Sequence, residues 1–210
     1  MEAPTDPDRS ECSPPAVSPG DAEIRRALMT KLAAAHRQES DTVFFQELGL
    51  CGGQVRADLA VVNGAIHGYE IKSDRDTLRR LAAQAERYNR VFDRVTLVVG
   101  PRHFDEAAAI IPLWWEIQLV ELVAGTVRLR RRRTGRKNLV RDARTLVELL
   151  WLDDAIALIQ ARGGARGYRS RPRRAVWDRV CELYTLEEIA SVVRNQLKAR
   201  SAILGRQRFA

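Results

Sequence analysis

Two apolar-rich runs, residues 55–62 and 65–72, meet at the dipeptide Asn63-Gly64. An Asn-Gly pair between alternating β-branched segments is a strong hairpin signal, because both residues accept the backbone angles of a tight reversal. Residues 94–99, RVTLVV, form a continuous apolar run closed by Gly100-Pro101, the pattern of a strand inside a sheet. Between them, Leu78, Leu81, Ala85, Tyr88 and Phe92 line one side of a helix over residues 77–92, with Ser73 or Asp74 as its cap. A hairpin followed by helix and strand calls for an α/β architecture, with helices packed on a mixed sheet.

The flanking segments extend this frame. Residues 1–20 carry five of the eight prolines and little to bury, which predicts a disordered tail. Asp21 is placed to cap a helix over residues 22–36, and residues 43–45 start a strand. Residues 115–122 and 126–129 make a second hairpin about Ala124-Gly125. Helices are predicted over residues 143–160, 174–183 and 186–200, the last opened by the capping box Thr185-Leu186-Glu187-Glu188. The resulting division is a tail (1–20), an α/β core (21–127), a basic connector (128–142), a helical C-terminal region (143–200) and a second tail (201–210).

The hairpin holds an unusual pair. Glu70 and Lys72 share one face of a strand that is otherwise apolar, since side chains alternate with period two, while His67 and Tyr69 face the other way. The preceding strand adds Asp58. Two neighbouring carboxylates repel, and a hard divalent cation such as Mg²⁺, with Mn²⁺ as substitute, is an economical reason to tolerate them. The register decides whether they meet. A strict two-residue turn sets Asp58 opposite Tyr69, away from Glu70; a three-residue loop with a bulge at Gly64 pairs Val61 with Ala65 and Asp58 with Gly68, on the face of Glu70. The bulged form is the expectation. The competing reading makes Glu70 and Lys72 an ion pair on a solvated edge strand.

Asp58, the run Glu70-Ile71-Lys72 and a following helix with Gln84 and Tyr88 resemble the PD-(D/E)xK superfamily of restriction-endonuclease-like nucleases. The Gln84-x-x-x-Tyr88 spacing is similar to that of its RecB-like branch, and the strings RADLAVVNG, GYEIKSDRDTLRRL and QAERYNRVFDRVTLVV resemble a small bacterial family within it. The resemblance covers about residues 21–110; Ala57 replaces the usual proline before the aspartate. It implies a restriction-endonuclease-like mixed sheet with a basic, mainly helical extension. It further implies Mg²⁺ on Asp58 and Glu70, a catalytic Lys72, and Gln84 and Tyr88 near the substrate. Glu23 matches a further acidic position, and Glu47 competes with it as an extra ligand. A metal-dependent deoxyribonuclease is the function so implied, and a non-catalytic nucleic-acid-binding or regulatory module is the alternative. Glu23 also suits the first turn of a helix, and Tyr88 a core position.

Charge is distributed unevenly along the chain. Residues 1–127 hold 14 Lys/Arg against 19 Asp/Glu, whereas residues 128–210 hold 21 against 8. Arg130, Arg131, Arg132, Arg133, Arg136 and Lys137 give the densest basic stretch, and Arg75, Arg79 and Arg80 lie beside the hairpin motif; all suit phosphate backbones, DNA first and RNA as the other candidate, or a solvated basic face. A second patch runs from Arg166 to Arg174 around Tyr168. Three separated cysteines, no signal-peptide pattern and no long apolar run predict a cytoplasmic chain without membrane contact. Pairing of two copies remains open.

Overall fold

The computed structural model describes residues 18–164 and 166–203. Residues 1–17 of the expected disordered tail lie outside the described residues, as do 204–210.

Six strands form one mixed sheet in sequence order: β1 (Val43–Leu50), β2 (Val55–Val62), β3 (Ile66–Lys72), β4 (Arg94–Val99), β5 (Glu116–Val123) and β6 (Thr126–Arg133). The β1–β2, β2–β3 and β5–β6 pairs are antiparallel, whereas β3–β4 and β4–β5 are parallel. Each parallel step requires a crossover. Helix α2 (Leu81–Val91) supplies the first, and α3 (Phe104–Ile110) lies in the second. The apolar run of β4 therefore sits inside the sheet, covered on both faces, as its composition predicts.

One face carries α1 (Asp21–Ala35), whose Ile24, Leu28 and Leu32 pack on Leu59, Val61, Tyr69, Ile71, Val98 and Val120. The other face carries α2, which brings Tyr88 and Phe92 against the sheet beside Trp115. Phe92 fits because position 68 is glycine: a Cβ there would stand 2.5 Å from the ring. The C-terminal helices α4 (Ala143–Val147), α5 (Leu152–Ala161), α6 (Arg173–Leu183) and α7 (Leu186–Ile203) bury Leu146, Ile156, Val176, Ile189 and Val193 in this same apolar cluster.

Several boundaries differ from expectation. The segment assigned to a connector begins as β6, because Arg128–Arg133 continues the ladder opposite β5. The helix predicted over 143–160 is two helices, broken where Trp151 becomes the extended cap of α5. Gly20, not Asp21, caps α1, and the Glu23 carboxylate accepts the Gly20 N–H at 2.9 Å. Helix α2 starts at Leu81, because Asp76 ties residues 73–76 into a turn by accepting from Ser73 N and Oγ. The Thr185 capping box forms as predicted: Thr185 N–H donates to Glu188 Oε2 at 2.8 Å, and Glu188 N–H to Thr185 Oγ1 at 3.3 Å.

Candidate functional site

The hairpin closes through a three-residue loop, Asn63 to Ala65, that pairs Val62 with Ile66 and Leu59 with Tyr69. This corrects the expected pairing of Val61 with Ala65 and removes the bulge from Gly64, which is not among the glycines with positive φ. Asn63 closes the loop instead: its Oδ1 accepts Ala65 N–H at 3.1 Å, and its N–H donates to Ala65 O at 3.0 Å. Continued one step beyond Leu59 and Tyr69, the register sets Asp58 across from Glu70.

The two carboxylates are nevertheless engaged separately. Phe45 and Ala60 belong to the apolar cluster on the sheet face that α2 and α7 cover, and so do Leu48 and Ala57, so the alternation of β1 and β2 shifts phase at Glu47 and Asp58. Glu47 takes a left-handed φ of 53° at this point. The Asp58 carboxylate enters the gap beside β3, where Oδ2 accepts Ile71 N–H at 2.7 Å, and Oδ1 accepts Arg25 Nη2 at 3.0 Å. Arg25 Nη1 also donates to Asp58 O at 2.8 Å. Burial opposes the charge on Arg25, but Asp58 and then Asp21 outweigh it and raise its pKa. Arg25 was missed in the sequence; its only signal is its position one turn after Asp21 on α1.

Glu70, on β3, is 1 % exposed and bonds to side chains of α2. Its Oε1 accepts Lys72 Nζ and Gln84 Nε2, each at 2.6 Å, and its Oε2 accepts the Tyr88 hydroxyl at 2.5 Å. Glu70 and Lys72 are thus an ion pair, but a buried one on an interior strand rather than a solvated one on an edge. Burial raises the Glu70 pKa, Asp58 raises it further, and Lys72 opposes both. Burial and the neighbouring Glu70 push the Tyr88 phenol upward, so it remains a proton donor to the carboxylate.

A cleft of about 400 Å³ opens here, lined in part by Glu47, Asp58, Glu70, Lys72, Arg80 and Gln84. It brings together most of the residues that the sequence singles out. Glu23 is elsewhere, engaged in capping α1, and Tyr88 lies beneath the cleft in the core. Glu47 pairs with Arg25 and Arg56 at 3.8 and 3.6 Å. Every carboxylate in this set already has a partner within the chain, and among the described residues no group of three or more His, Cys, Asp or Glu is placed to hold a metal ion.

His67 lies across the sheet from Glu70, as alternation requires. Its ring stacks on Tyr69, with Nδ1 3.1 Å from the Tyr69 hydroxyl and Nε2 2.8 Å from Thr96 Oγ1. Burial, with a smaller contribution from Arg94, lowers its pKa to about 3. The folded state therefore stays neutral here while the unfolded chain takes a proton as the pH falls through about 6.5, so stability is lost below that point. Melting curves between pH 7 and 4.5 are expected to show a His67-dependent loss of about 2–3 kcal/mol. An imidazole midpoint near 6.5 in an NMR titration would refute this.

The basic residues fall into two groups. Arg130, Arg131 and Arg132 are exposed on β6, an edge strand, and Arg136 and Lys137 follow in an exposed loop. Glu121 holds Arg132 at 2.9 Å and Arg130 at 3.9 Å. Arg133 is turned inward, donating from Nε to Trp115 O and from Nη2 to Pro112 O, each at 2.9 Å, and desolvation lowers its pKa. Arg75, Arg79 and Arg80 are exposed in the turn before α2, where Arg75 donates to Ser18 O. Helix α7 packs on α4 and on β1. No helix among the described residues is long and apolar enough to cross a membrane.

Comparison with known proteins supplies a family. The family described as "Bacteriophage P4 protein cII" matches residues 18–206. Protein cII of Enterobacteria phage P4 is 38% identical over 69 residues, 33% of this chain and 26% of that protein. The match thus spans about a quarter of that relative's length. A solved structure, the SPO1766 protein of unknown function from Silicibacter pomeroyi, covers 90% of this chain and 96% of its own at 15% identity and a TM-score of 0.38, a level that bears on neither fold nor function. The family match overturns the assignment to the PD-(D/E)xK superfamily. With it go the deoxyribonuclease activity, the description as a metal-binding hydrolase or endonuclease, and the Mg²⁺ or Mn²⁺ cofactor, for which the described residues also offer no ligand cluster. A mixed sheet flanked by helices stands as the fold. Matched along nearly its whole described length, the chain belongs to the bacteriophage P4 protein cII family.

Proposed function

We propose that this protein is a non-catalytic, regulatory DNA-binding module that grips the phosphate backbone with β6 and the loop that follows it. One observation carries the reading: Arg128, Arg130, Arg131 and Arg132 are exposed along a sheet edge, and Arg136 and Lys137 extend the same run. The ladder holds the backbone of this run, with one irregularity at Arg132, so little backbone freedom is lost when its cations meet phosphates. Such contacts position the protein and carry little base information. The buried Glu70, Lys72 and Tyr88 network serves the core in this reading, by fixing β3 against α2.

The test is binding of a labelled duplex by fluorescence anisotropy from 50 to 200 mM salt. Replacing Arg130, Arg131 and Arg132 together by Thr, which keeps the strand, is expected to reduce the slope of log Kd against log salt by roughly 2–3. A native chain that does not bind DNA, or a triple variant with unchanged slope, would overturn the proposal.

A further inference from the structure

We infer that Leu139 and Val140 form an apolar wedge that enters between base pairs of duplex DNA, flanked by phosphate contacts from Arg136 and Lys137; the inference rests on the DNA-binding reading above. Leu139 is 85% exposed and Val140 81%. Two adjacent aliphatic side chains held in water are unfavourable, and a loop free to move would fold them back on the protein.

This loop is not free to move. Asn138 is buried, and its side-chain amide donates to Asn89 O at 2.7 Å and Phe92 O at 2.9 Å. Its backbone N–H donates to Asp93 O at 2.8 Å, and its Oδ1 accepts Val140 N–H at 2.9 Å. On the far side, the Arg141 guanidinium reaches Asp93 Oδ1 at 2.9 Å with both side chains almost fully buried, and Asp142 N–H donates to Arg90 O at 2.8 Å. Both stems are thus bolted to the end of α2, and the two aliphatic residues between them point outward. Upstream, Arg136 N–H donates to Trp114 O at 2.8 Å, which fixes the cationic flank as well.

The charges around the tip select the occupant. Arg136 and Lys137 are exposed on one side, and acids about the loop are engaged: Asp142 accepts from Thr145, Asp93 holds Arg141, Glu187 is bonded to Arg141, and Glu116, packed on Gly135, accepts from Gln118. An apolar tip beside free cations fits a surface that is anionic outside and apolar between stacked planes, which is duplex DNA. Insertion of such a wedge unstacks one base step and bends the duplex.

The experiment uses the full chain with a duplex that carries 2-aminopurine internally and a fluorophore pair at its ends. Native protein is expected to raise 2-aminopurine emission and shorten the end-to-end distance. A Leu139→Ser, Val140→Ser double variant is expected to melt like the native chain, lose both signals and bind about tenfold more weakly with the same salt slope. An Arg136→Ala, Lys137→Ala variant is expected to lose roughly 2 from the salt slope and still distort DNA at saturation. Duplex binding without distortion, or distortion that survives the double serine variant, overturns the wedge while leaving the DNA-binding reading intact. A double variant that changes only the sedimentation coefficient overturns it in favour of contact between copies of the chain. Absence of duplex binding by the native chain overturns both readings.

Discussion

Glu70→Ala is expected to destabilise the fold by about 3–5 kcal/mol, because it strands the Lys72 ammonium in the core, leaves Gln84 without its acceptor and leaves the Tyr88 hydroxyl only the Arg56 carbonyl. In a chain of this size that corresponds to a melting temperature lower by roughly 8–15 °C. The converse change, Lys72→Met, costs less, since Glu70 can shed its charge by protonation. Its pKa is raised in the fold, so the variant gains stability as the pH falls through that raised value and loses it as the pH rises. Replacing both residues by Met removes the charges together and is expected to return stability to within about 1–2 kcal/mol of the native chain. Urea unfolding of the four proteins at pH 5 and pH 8 makes the comparison. A Glu70→Ala loss below 1 kcal/mol would show that the network is open to water and that its burial has been misjudged.

Asp93→Ala is the second large effect, expected at about 2–4 kcal/mol. Asp93 joins three parts of the molecule. Its Oδ2 accepts Ile66 N–H at 2.8 Å at the start of β3, its Oδ1 holds Arg141, and its carbonyl accepts Asn138 N–H. Alanine leaves the Ile66 donor unsatisfied and leaves Arg141 only the contact with Glu187 at the surface. Hydrogen exchange is expected to quicken at Ile66, whose N–H loses its acceptor, and at Asn138, whose N–H keeps the carbonyl of residue 93 but whose loop loses the Arg141 anchor. Faster exchange at Asn138 alone would mean that the loop and the strand are held independently.

The elements with strong local signals were legible. The β2 and β4 boundaries follow from β-branched runs ended by Asn-Gly and Gly-Pro, and the Thr185 capping box from its spacing. The placement of Glu70, Lys72, Gln84 and Tyr88 in one cluster was legible too, because strand period and helix period each bring their pair to one face. What that cluster does was not. The same four residue types serve a reactive site or a closed core network, and only the positions of donors around each oxygen separate the two. Arg25, more than thirty residues before Asp58, carries no local mark of the bond that occupies that carboxylate.

The basic run shows the same division. Its charge is plain in the sequence, but Arg133 looks identical to its neighbours there, and only the fold turns it inward to the carbonyls of Pro112 and Trp115. Leu139 and Val140 gave no signal at all, because two aliphatic residues in a row suggest burial, and their exposure follows from clamps at Asn138 and Arg141 made with residues 45 or more positions earlier. Sequence alone determined β2 and β4, the buried face of α2 and the overall charge, which depend on neighbours along the chain. Tertiary structure decided which polar groups are already satisfied and which side chains remain in solvent, since hydrogen bonding and burial are settled by residues distant in sequence.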